Sequence, residues 1–98
     1  MNLVEALDVI DDGFKETVLP AISRGHLKTA HDELTNLDLA LKLIIKEIAS
    51  YHSGIHFVAS VRTLYRELGQ GEHCPKTVAE FQAYLAQLKL SAKSGNIY

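Results

Sequence analysis

From Leu27 to Tyr51, apolar residues recur at alternating steps of three and four: Leu27, Ala30, Leu34, Leu37, Leu41, Ile44, Ile48 and Tyr51. Alternation of this kind puts all of them on one stripe of an α-helix and fits no strand, where the period is two. The spacing predicts one long helix over about residues 27–52, roughly 38 Å from end to end. Leu39, Leu43 and Ile45 widen the stripe, so the helix is expected to meet more than one neighbour. A division at Thr35-Asn36 is the alternative, because Thr35 and Asp38 imitate a capping pair there. A seam this long exceeds what helices of ~13–18 residues from the same chain would cover. Leu34, Leu37, Leu41, Ile44 and Ile48 are therefore expected to form the seam of a homodimer.

Three further blocks carry helical spacing. In the first, Leu3, Leu7, Ile10, Phe14 and Val18 share a face, with Asn2 as N-cap and Glu5 completing the capping pair. Pro20 is expected to kink or break this block, and Gly25 to end it. Ser53-Gly54 reads as the stop of the long helix. A third helix follows from Ile55 to Leu68, with Arg62 and Arg66 one turn apart, and then a loop over Gly69–Lys76. The last helix opens on Thr77-Val78-Ala79-Glu80, which has the form of a capping box, and buries Val78, Phe81, Leu85 and Leu88. The expected architecture is an all-α bundle of about four helices. Residues 1–90 make one domain, and 91–98 a flexible tail.

Composition narrows the functional classes. With 98 residues, 47% of them hydrophobic, no Trp and three Phe, the chain has one core, built mainly from aliphatic side chains. The net charge of −2 lacks the basic excess of a phosphate-backbone binder. Charge is uneven, however. Glu5, Asp8, Asp11, Asp12 and Glu16 face only Lys15 in the first block, and Arg62, Arg66, Lys76, Lys89 and Lys93 outnumber the acids after residue 60. An acidic first helix lying beside a mildly basic later one is the expected consequence. One cysteine excludes an internal disulfide, and the N-terminus does not have a secretory pattern. No apolar run reaches the ~18 residues of a membrane span, so a cytoplasmic location is expected.

No nucleophile elbow, phosphate loop, dinucleotide fingerprint or zinc spacing occurs. Four constellations remain. Glu5, Asp8, Asp12 and Glu16 follow helical spacing, and serve as a solvated face or as a docking stripe for a basic partner. His52 and His56 are four apart, the spacing at which two imidazoles share a metal, although Gly54 between them is expected to end the helix and separate the rings. Cys74 beside His73, ahead of a helix start and followed by Pro75, has the setting of a reactive thiol or a haem thiolate, but a loop cysteine without special role fits it more simply. The third and fourth helices have the order of a helix-turn-helix, but the eight-residue connection is too long and the second helix too poor in basic residues. The expected function is a non-catalytic helical module, without a cofactor, that binds another protein as adaptor, inhibitor or regulator. A DNA-binding regulator and a metal- or haem-binding protein are the alternatives.

Overall fold

The computed structural model describes residues 1–49 and 51–95. Among them no strand forms, and the fold is a small all-α bundle. The elements are α1 (Leu3–Gly13), a π-helical segment (Phe14–Val18), α2 (Leu19–Ser23), α3 (Leu27–Asn36), α4 (Asp38–Ile48), α5 (His52–Gly69) and α6 (Pro75–Ser94).

The first block is one uninterrupted helical rod. Asn2 caps it by accepting from the Glu5 N–H at 2.9 Å while its amide donates to the Glu5 carboxylate at 3.1 Å. Pro20 has no N–H, and in a regular helix its ring collides with the carbonyl four residues back. The turn before it widens instead. Leu19 N–H reaches the Phe14 carbonyl, five residues back, and the helix continues through the proline to Ser23. Gly25, at φ +75°, then closes the rod, with His26 N–H donating to the Ala21 carbonyl at 2.9 Å.

The long helix divides in two. Leu37 (φ −93°, ψ 6°) is at once the C-cap of α3 and the N-cap of α4, and its N–H turns back to the Leu34 carbonyl at 3.0 Å. Capping does not cause the break: Thr35 donates its hydroxyl to the His31 carbonyl and caps nothing. Packing accounts for it better. Leu37 rests on Gly13, where a Cβ would lie 2.7 Å from Leu37 Cδ2. From that joint α3 runs against the π-helical segment and α5, and α4 runs against α1. A straight rod of ~38 Å would span the whole 37 Å long axis of the molecule, which is only 22 × 18 Å across. The bend lets one short chain cover both halves of the stripe. Leu34, Leu41, Ile44 and Ile48 are accordingly buried within a single molecule, and Leu37 partly so. The seam expected between two copies is internal core.

The corner after α4 also departs from the sequence pattern. Gly54 does not end a helix; it lies buried inside α5, which begins at His52 behind Tyr51 in extended conformation. A Cβ on Gly54 would run into the backbone carbonyl of Ile48. Glycine is needed there because the end of α4 and the first turn of α5 pass backbone against backbone. The C-terminal helix is likewise longer than its pattern indicates, since α6 runs to Ser94 and Gly95 closes it at φ +75°. Residues 96–98 of the expected tail lie outside the described residues.

Three elements meet at the chain's three phenylalanines. Phe81 of α6 lies 4.6 Å from Phe14 of the rod and 5.5 Å from Phe57 of α5, centroid to centroid, and all three are fully buried. Tyr65 of α5 donates its hydroxyl to the Leu34 carbonyl at 3.0 Å, a second donor on the acceptor that the Leu37 N–H already uses, and so ties α5 to the end of α3.

Two outcomes follow for stability. Leu41→Glu/Ile48→Glu is expected to lose cooperative unfolding and helical circular dichroism instead of yielding a folded monomer, because each buried carboxylate costs several kcal/mol against a total of about 5–15 kcal/mol. Gly54→Ala is expected to lower the unfolding free energy by about 3 kcal/mol in urea denaturation, although alanine favours helix elsewhere.

Candidate functional site

A surface groove lies between α1 and α6, which pack antiparallel, as the pairs Asp8–Lys93 and Phe14–Phe81 show. Its volume is about 630 Å³. Its lining includes the small apolar side chains of Ala83 and Ala86 and that of Leu90, which has 73% of its surface exposed. Ala79, Ala83, Ala86 and Leu90 recur at steps of four, three and four along the outward side of α6, and all four are exposed. The amphipathic stripe used for the core (Val78, Phe81, Leu85, Leu88) is thus matched by a second apolar stripe that nothing among the described residues covers.

Charge surrounds this stripe in an ordered way. Lys89 reaches across the groove to Asp11 at 2.7 Å and to Asp8 at 3.2 Å, Lys93 approaches Asp8 at 3.9 Å, and Lys15 bonds Asp11 at 3.3 Å. The uneven charge of the sequence therefore does place an acidic α1 beside a basic α6. Burial pushes the Asp11 carboxyl up, but its hydrogen bonds from Lys89 and Lys15, together with their charges, outweigh this and hold it below the usual carboxylate range. The hydrogen bond to Asp11 in turn raises Lys89, against desolvation and with help from Asp8.

The acidic row separates into two sets. Asp8 is drawn into the ion-pair network, and Glu5 helps to cap its own helix. Asp12 and Glu16 stay exposed with no ion pair among the described residues. Asp11, the carboxylate that organises the network, falls outside the row because its importance comes from α6, 78 residues away.

The histidines are brought together. Because Gly54 continues the helix, His52 and His56 lie one turn apart on α5, both exposed, with ring centroids 6.0 Å apart and nearly perpendicular. His56 also stacks on Tyr84 of α6 at 5.5 Å and an interplanar angle of 21°. No group of three or more His, Cys, Asp or Glu residues comes together in metal-holding geometry among the described residues.

Cys74 occupies the N-cap of α6. The helix starts at Pro75, so Thr77 lies inside the first turn, buried, and the expected capping box does not form. Proline at the first helical position was the sequence signal that marked this start. Hydrogen bonds from Thr77, side chain first and backbone second, hold the Cys74 thiol below its ordinary range against burial and the nearby Glu67 carboxylate. The helix-turn-helix order is not realised as such a motif. Contacts between α5 and α6 recur at Phe57–Phe81 and His56–Tyr84, far from the connection, so the two helices lie alongside each other as a hairpin.

No known protein family matches the chain, and neither a curated protein nor a solved structure is significantly similar to it. No helix among the described residues is long and apolar enough to cross a membrane.

The ion-pair network makes a pH-dependent contribution to stability. A depressed Asp11 contributes above the unfolded carboxylate value of ~3.9 and ceases to do so as pH falls through its lower folded value. Asp11→Asn is therefore expected to unfold at a lower urea concentration than the native chain at pH 7, and the two midpoints should converge as pH is lowered beneath ~4.

Proposed function

We propose that this chain is a non-catalytic helical interaction module, an adaptor, inhibitor or regulator that works in the cytoplasm by binding another protein, and that the α1–α6 face is the surface it presents. The observation that supports this reading is the stripe Ala79, Ala83, Ala86 and Leu90 beside the groove, exposed among the described residues. Small side chains allow a partner helix to approach closely, and an exposed leucine offers it an apolar anchor. Exposed lysines, Lys15 at 58% and Lys93 at 55% side-chain exposure, flank one side of the stripe, with Asp12 and Glu16 also exposed on the N-terminal rod. The fitting partner is an amphipathic helix whose carboxylates meet the lysines, with any basic residues turned toward α1. Charge of this kind speeds encounter and sets orientation, while the apolar contact supplies affinity. The basic partner expected from the acidic row is thus reduced to one edge of the interface. With the seam of Leu34, Leu41, Ile44 and Ile48 buried, a second copy of the chain has to use an exposed face such as this one.

Site-specific photo-crosslinking in cells tests the reading. A crosslinker at Ala86 or Leu90 is expected to give adducts of defined mass that disappear in Lys15→Glu/Lys93→Glu. The comparison position is Leu39 of α4, which is 86% exposed and lies outside this face. Adducts at Leu39 with none at Ala86 or Leu90 would place the interface elsewhere and overturn the proposal.

A further inference from the structure

His52 and His56 carry a separate assignment. A histidine pair at i and i+4 projects two ring nitrogens from one helical face, and a divalent d-block cation bound to both closes a chelate across a single turn. The sequence argues against this here, because glycine between the two normally marks a helix end. The structure removes that objection, since Gly54 is inside α5, fixed by the Ile48 carbonyl on one side and donating its own N–H to the Tyr51 carbonyl at 3.0 Å. The first turn of α5 is therefore held in place by the corner with α4.

We propose that His52 and His56 form a two-imidazole site for a divalent transition-metal ion of the zinc, copper or nickel type. The two rings have different parts in it. His56 is the fixed half, because Tyr84 of α6 stacks against it. His52 is exposed, and the ring against it is that of His56 itself. With the rings 6.0 Å apart, a side-chain rotation of His52 brings its nitrogen to a metal bonded at about 2.1 Å by His56. Neither ring takes part in a side-chain hydrogen bond among the described residues, so the rotation gives up only the edge contact between the two rings.

The surroundings also select the ion. No third His, Cys, Asp or Glu joins the pair among the described residues, so the remaining coordination positions belong to water or to a donor from outside the chain. The positive end of the α5 dipole opposes a bound cation. Calcium and magnesium, which depend on carboxylate charge and oxygen ligands, gain nothing there. A borderline metal gains two directional bonds to imidazole, and the order of affinities should follow the Irving–Williams series, with copper tightest.

The test uses the tag-free full chain. Calorimetric titration with zinc is expected to show one ion per chain, and the electron paramagnetic resonance spectrum with one equivalent of copper should carry hyperfine structure from two nitrogens. His52→Ala and His56→Ala should each weaken zinc binding by about a hundredfold, the advantage of a tethered second ligand. His26→Ala, His31→Ala and His73→Ala should leave it unchanged. Circular dichroism shows that each variant is folded, and two exposed positions tested separately guard against a misfolded one. Zinc binding that survives both His52→Ala and His56→Ala, or a native chain that binds no zinc at millimolar concentration, would overturn the assignment.

Discussion

The contact of Phe81 with Phe14 on one side and Phe57 on the other is what the rest of the fold is arranged around. The chain has no Trp and only these three Phe, and they come from the N-terminal rod and from the two helices of the α5–α6 hairpin, at the other end of the chain. Aromatic rings bury more area than any aliphatic residue here, and tilted pairs add attraction beyond that area. Once the rings meet, the rod and the α5–α6 hairpin have a fixed spacing. The aliphatic stripes of α3 and α4 then close the sides, with Leu34 and Ile44 fully buried.

Much of this was legible in the sequence. Apolar spacing identified every helical block, and the residues it assigned to the core of α6, namely Val78, Phe81, Leu85 and Leu88, are all buried. The Asn2–Glu5 cap was legible for the same reason: it is local chemistry within one turn. What spacing cannot register is direction. A three-four alternation looks the same along a straight helix and along two helices sharing a single joint residue, so spacing does not register the break; the Thr35-Asn36 signal falls beside it, although Thr35 caps nothing there. The cause of the break lies in Gly13, on another helix. Gly54 follows the same logic, since its role is set by the Ile48 carbonyl and not by its neighbours in the first turn of α5.

The surface shows where local reading fails more instructively. Helical spacing grouped Glu5, Asp8, Asp12 and Glu16, yet the carboxylate that matters most to the fold is Asp11, which Lys89 singles out from across the groove. The exposed stripe of α6 escaped notice because alanine is unremarkable in a helix and acquires meaning only when nothing covers it. His52 and His56 are four apart by number, but whether they share a helical face depends on a glycine whose helical role only the packing discloses.

The joint at Leu37 has one more consequence. A single residue separates two helices whose apolar faces, laid end to end, form a continuous zipper. In this fold the bend keeps that zipper private to one molecule. If the joint straightened, α3 would leave its own core and offer the same residues to another chain, and the two would exchange α3 like clasped hands. Gly13 and the Tyr65 hydroxyl hold the two sides of the joint, so the contacts that pack the core are also the ones such an exchange would have to break.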